Sequence, residues 1–122
     1  MKWIVGTDDP TGRGDAFPPN TKGTGRRLLA LSGLSADEYT ATFFRTNTEE
    51  EPVFRGGDTV VVLGRVAWRH LRLPSRHPWF TSTVKNRTTY WLIPHPSGKN
   101  LMYNSLQVRR KTQRLMRSLS RR

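Results

Sequence analysis

The sequence predicts an α/β protein built on one parallel sheet of four strands covered on both faces. Three observations lead there. Residues 59–64 (Thr-Val-Val-Val-Leu-Gly) form an unbroken apolar run, the pattern of a strand buried on both sides of a parallel sheet. Strand-like segments alternate with helical segments or long loops, which is βαβ logic with right-handed crossovers. The apolar segments at 2–7 and 89–94 stop abruptly at glycine or proline, as strands do where a sheet meets its loops.

Residues 2–7 read as the first strand, ending at Gly6. A polar loop follows, Asp8-Asp9-Pro10-Thr11-Gly12-Arg13-Gly14-Asp15, which would place carboxylates at the edge of the sheet. No G-x-G-x-x-G opens a helix here and there is no P-loop lysine, so no nucleotide cofactor is expected. Phe17-Pro18-Pro19 offers either a flat apolar wall for stacking a base or a plug onto the core. Residues 23–33 read as a helix with Thr24 as N-cap, Gly33 just past its end, and Leu28 and Leu31 on one face. Free amides, glycines and Arg26 and Arg27 at its start suit a phosphate, although capping explains the glycines equally well.

Residues 39–46 are β-branched and aromatic, hence a second strand. After an acidic connection (47–57) and the third strand (59–64), residues 65–73 predict a short helix. It would turn Ala67, Trp68 and Leu71 inward and stop at Pro74. Residues 75–89 are basic and turn-rich, with Trp79-Phe80 covering an edge. The fourth strand, 89–94, ends in Pro94. From about 101 to 120 a basic helix is expected, with Leu101, Val108, Leu115 and Leu119 as its apolar stripe and Arg109, Arg110, Lys111, Arg114 and Arg117 over much of the rest. There is no repeat and no domain boundary, so residues 1–122 form one domain.

Charge is distributed unevenly. All nine acids lie at or before Asp58, beside seven Lys/Arg; residues 59–122 carry fourteen Lys/Arg and no acid. A one-sided field of that kind attracts polyanions, and DNA is the partner expected. An acidic membrane surface and a solubilising tail are the blander readings. No apolar stretch reaches the length of a membrane span and no signal peptide is read, so a cytoplasmic monomer is expected, nucleoid-associated or in a host cytoplasm if the gene is viral. Cysteine is absent, which excludes disulfides, thiol catalysis and iron–sulfur clusters. His70, His77 and His95 are scattered without an H-x-x-x-H pair, so no metal is expected; His70 and His77 are assigned to structure or surface.

His95 stands apart. It lies between Pro94 and Pro96 at a strand end, followed by Ser97, Gly98, Lys99 and Asn100. Ligands of open α/β sheets bind outside the carboxyl ends of the strands. A histidine fixed there is a candidate for chemistry; an ordinary surface-loop histidine is the competing reading. The loops after the first and fourth strands should share one sheet edge and bring Asp8, Asp9 and His95 together.

Taken together, Gly6-Thr7-Asp8-Asp9-Pro10 after a first strand, an aromatic in the next loop, a Val-rich strand ending in Leu63-Gly64-Arg65, and His95-Pro96-Ser97-Gly98-Lys99-Asn100 after a last strand resemble the uracil-DNA glycosylase superfamily over residues 2–110. The resemblance implies a three-layer α/β/α sandwich with strand order 2-1-3-4 and hydrolysis of the N-glycosidic bond of uracil, or a related modified pyrimidine, by base flipping. Asp8 would sit where some members carry the carboxylate that positions water, and one inserted residue before Pro10 leaves Asp9 as the alternative. Phe17 would stack on the flipped base and His95 would donate to its O2. Many members read the base with an asparagine ending the second strand; the alignment places Thr42 there, with Asn47 shortly after. Ser97 would grip a phosphate, and residues 98–103 would form the wedge. Gly98, Lys99, Asn100, Arg26, Arg27, Arg109 and Arg110 complete the expected DNA contacts. Lys99 is read as a phosphate contact rather than a Schiff-base nucleophile, so the enzyme would be monofunctional. The alternative is a non-catalytic DNA- or base-binding module on the same scaffold.

Overall fold

A computed structural model describes residues 1–7, 16, 17, 19, 23–97 and 99–122. Among them the elements run β1 (Lys2–Gly6), α1 (Thr24–Ser32), α2 (Ala36–Thr42), β2 (Phe44–Asn47), β3 (Thr59–Leu63), α3 (Gly64–His70), β4 (Ser82–Lys85), β5 (Thr88–Ile93) and α4 (Leu106–Ser120). The α/β class stands. The sheet differs from the expected four-stranded parallel one: it has five strands, is mixed, and runs β2-β1-β3-β5-β4. β2, β1, β3 and β5 pair in parallel, and β4 pairs antiparallel with β5.

The extra strand comes from residues read as turn-rich connection. β4 and β5 are joined by Asn86 and Arg87, both left-handed at φ 52° and 65°. Two such residues make the tight hairpin turn whose twist matches the strands. The usual Asn-Gly signal is missing, and β4 is short and polar with Lys85 on it, as edge strands often are.

The second strand is also shorter than expected. Residues 39–42 belong to α2, not to a strand. Ser35 Oγ accepts from the Glu38 amide at 3.1 Å, and Glu38 Oε1 accepts from the Ser35 amide at 3.2 Å. This capping box starts a helix that overrides the β preference of Tyr39 and Thr40. β2 begins at Phe44. Thr24 is the first helical residue of α1 rather than its cap; Gly23 occupies the cap position with no side-chain bond. The basic C-terminal helix is broken as well. Residues Leu101–Asn104 form a 3₁₀ turn, and Ser105 caps α4.

Alternation along the strands makes two cores. Ile4, Val61, Leu63 and Ile93 face α1, α2 and α4 through Leu28, Tyr39, Met116 and Leu119. Val5, Val60, Val62 and Leu92 face α3 through Ala67 and Trp68. β1 lies between β2 and β3, so the chain leaves it in both directions, and the crevice at the carboxyl ends of β1 and β3 is the topological switch point. At the opposite edge Asp58 accepts from Trp3 Nε1 at 3.2 Å, from the Arg55 amide at 3.0 Å and from the Met1 amino group at 3.1 Å. These bonds tie the start of β1 to the start of β3. No helix among the described residues is long and apolar enough to cross a membrane.

Candidate functional site

An open cleft of about 840 Å³ lies at that switch point. Thr7 after β1, Leu63 and Gly64 at the end of β3, Thr24 at the start of α1, and His95 and Ser97 after β5 line it. The loop that carries His95 is held unusually firmly. Tyr103 Oη donates to the Pro94 carbonyl, Asn100 Nδ2 to the His95 carbonyl at 2.8 Å, and Arg27 Nε to the Pro96 carbonyl at 3.1 Å. The Ser97 carbonyl accepts from the Asn100 amide at 3.0 Å. Four successive carbonyls are thus each satisfied from a different direction, which leaves the loop little freedom.

The ring is oriented within that frame. The Ser97 amide donates to His95 Nδ1 at 3.1 Å. Nδ1 therefore carries the lone pair and Nε2 the proton in the neutral ring. Gly64 makes room for the side chain: it sits at φ 87°, and a Cβ on it would lie 3.1 Å from His95 Cβ. Glycine is required there both for the left-handed backbone and for the close approach.

Tyr103, the anchor of Pro94, is itself buried and receives a bond from Thr112 Oγ1 at 3.4 Å. Burial pushes its phenol up to about 12, so it remains a donor across the physiological range. Asn100 is engaged at both ends of its amide: while its Nδ2 holds the His95 carbonyl, its Oδ1 accepts from the Met102 amide at 3.1 Å. Both Asn100 and Arg27, expected on DNA, serve the loop through these atoms. Ser97 Oγ accepts from the Lys99 amide at 3.2 Å, and its hydroxyl proton can still be offered to a ligand.

The other expected residues are spread more widely. Thr42 does not end the second strand; it is the last residue of α2. Asn47 ends β2, buried, in register with Gly6, and its Oδ1 accepts from the Glu50 amide at 3.2 Å. Phe17 is 1% exposed and belongs to the core; its ring lies over Gly6, where a Cβ would meet Cζ at 2.6 Å. Arg26 is exposed in the first turn of α1, while Arg109 and Arg110 are exposed in the first turns of α4. Asp8, Asp9 and Gly98 lie outside the described residues. Leu101 stands 75% exposed beside the cleft residue Met102.

Sequence reasoning missed one wall of the cleft. Arg65, the first residue past Gly64, carries its guanidinium 4.3 Å from the centroid of Trp79, and both line the cleft. A basic residue two positions past a buried strand's carboxyl end was a usable signal; its aromatic partner fourteen residues on was not. His77, assigned to structure or surface, stacks on Trp68 at 4.7 Å. The chain matches no protein-family model, no curated protein and no solved structure.

Proposed function

We propose that the protein is a DNA glycosylase that removes uracil, or a related modified pyrimidine, by flipping it into the cleft at the ends of β1, β3 and β5. The observation that carries this reading is the Ser97 amide on His95 Nδ1, which makes Nε2 the protonated nitrogen of the neutral ring. Uracil leaves its sugar as an anion, and a fixed donor to the base oxygen stabilises charge that develops only in the transition state. Asp8 or Asp9 supplies the carboxylate that supports the sugar cation and the attacking water. Asn47, at the end of β2, is the better candidate than Thr42 for reading the base edge. Leu101 is the side chain suited to fill the place of the flipped base. The basic half of the chain supplies phosphate contacts.

Release of free base from uracil-containing single- and double-stranded oligonucleotides, read as alkali-sensitive abasic sites, tests the reading. Thymine, cytosine and hydroxymethyluracil substrates run beside it. His95→Ala should lower turnover about 10²–10³-fold while leaving most DNA affinity. Full turnover in that variant overturns the mechanism.

One observation favours a second reading, a module that binds DNA or an extruded base without cleaving it. Phe17, the ring expected to stack on the base, is 1% exposed. Salt-sensitive DNA binding with no release of any base would select this alternative.

A further inference from the structure

The wall of the cleft that Arg65 and Trp79 line has a construction of its own. Arg65 Nη1 donates to the His77 carbonyl at 3.0 Å while its guanidinium sits over Trp79. His77 is in turn fixed: its ring stacks on buried Trp68, and Nε2 bonds the Thr81 hydroxyl at 2.8 Å. Just past Trp79, the Phe80 amide donates to the Leu92 carbonyl at 2.7 Å and pins the segment to β5. Trp79 is half-buried, with part of its surface in the cleft. Arg65 follows the glycine that touches His95. The result is a preorganised cation–aromatic pair one residue from the reacting corner, with guanidinium protons left over after the His77 bond.

We infer that the Arg65–Trp79 pair is a second nucleotide subsite, which holds the nucleotide next to the one bound at His95. Its unpaired base stacks on the pair, and its phosphate meets the Arg65 charge. A stacked pair of this kind accepts any base face, because every base has one, so it favours single-stranded or locally opened DNA without adding sequence preference. The inference rests on the cleft being a nucleic-acid site, and it adds a strand preference that the His95 loop alone does not supply.

The test is a cycle between protein and substrate. Affinity is measured by fluorescence anisotropy for a labelled single-stranded heptanucleotide with a central 2′-fluoro-uridine, whose electron-withdrawing fluorine resists cleavage. A second heptanucleotide carries abasic spacers on both sides of the uracil. Removing the neighbouring bases should weaken wild-type binding about ten-fold, and Trp79→Ala should weaken binding of the intact strand by a similar factor. The two losses should not add: Trp79→Ala should be nearly indifferent to the spacers. Trp79→Phe, which keeps a ring, should recover most of the affinity, and Arg65→Gln, which leaves the core untouched, should repeat the cycle if Trp79→Ala does not fold. Additive losses overturn the subsite while uracil release keeps the glycosylase reading. Coupled losses without release of any base do the reverse. No binding of either strand overturns both.

Discussion

Gly64 and His95 meet across two strand ends, so closely that a Cβ on the glycine would lie 3.1 Å from the Cβ of the histidine. The third and fifth strands therefore share one corner, and the orientation of the histidine depends on a residue that has no side chain. With φ at 87°, Gly64 also occupies backbone space that other residues enter at a cost.

Gly64→Ala should destabilise the fold by about 1–2 kcal/mol, from backbone strain and from displacing the His95 side chain. If the glycosylase reading holds, turnover should fall more than DNA affinity, since a small misplacement of the donor that His95 would supply is expensive. Urea unfolding beside single-turnover kinetics separates the two effects. An unchanged rate would mean that the corner tolerates movement.

Tyr103 links α4's supporting turn to the His95 loop through the Pro94 carbonyl. Tyr103→Phe leaves that buried acceptor without its donor and should cost about 1–3 kcal/mol. The phenol predicts a pH dependence as well. Its folded pKa, about 12, lies above the model-peptide value of 10.0. The folded state holds the proton more tightly, so this contribution is complete below pH 10 and is lost as pH rises toward 12. Alkaline unfolding should begin in that window, and Tyr103→Phe should weaken its pH dependence.

Asp58 predicts the opposite limb. The Arg55 amide, then the Met1 amino group and the Trp3 indole, hold its carboxyl below 3.8 against the opposing effect of burial. A depressed folded pKa contributes stability that is present above the unfolded value and lost as pH falls through the folded one. Acidification below about pH 4 should therefore weaken the β1–β3 edge. Asp58→Asn should be less stable at pH 7 and should lose less on acidification, as read from urea midpoints across pH 2–7.

Arg109 and Arg110 are exposed near the start of α4, in a half of the chain that carries no acid. If they touch phosphates, each Arg→Gln substitution should weaken DNA binding for all sequences alike. Each should also lower the slope of log K against log salt by about 1. A slope equal to wild type in the double variant would remove α4 from the interface.

Much of the frame was legible locally. The Thr59–Leu63 run has the pattern of a doubly buried strand, and glycine and proline marked where β1 and β5 end. The sheet misled at two places. Tyr39 and Thr40 prefer strands by composition, but the Ser35–Glu38 box reaches them first. β4 looked like turn because an exposed edge strand needs no apolar side chains, and its turn residues, Asn86 and Arg87, are not the pair that usually announces a hairpin.

By itself the sequence determined the α/β class, the ends of β1, β3 and β5, the one-sided charge and the placement of His95 between two prolines. These follow from sterics and periodicity, which act between near neighbours in the chain. Only the tertiary structure decided that Arg27 and Asn100 hold the loop, that Phe17 lies in the core, that Asn47 rather than Thr42 ends β2, and that Arg65 meets Trp79. Most of these depend on partners far apart in sequence, Arg27 and Pro96 by 69 residues, and packing selects among several donors that local pattern leaves equivalent. A side chain's role at this site is set by which carbonyl or ring lies within its reach once the sheet has formed.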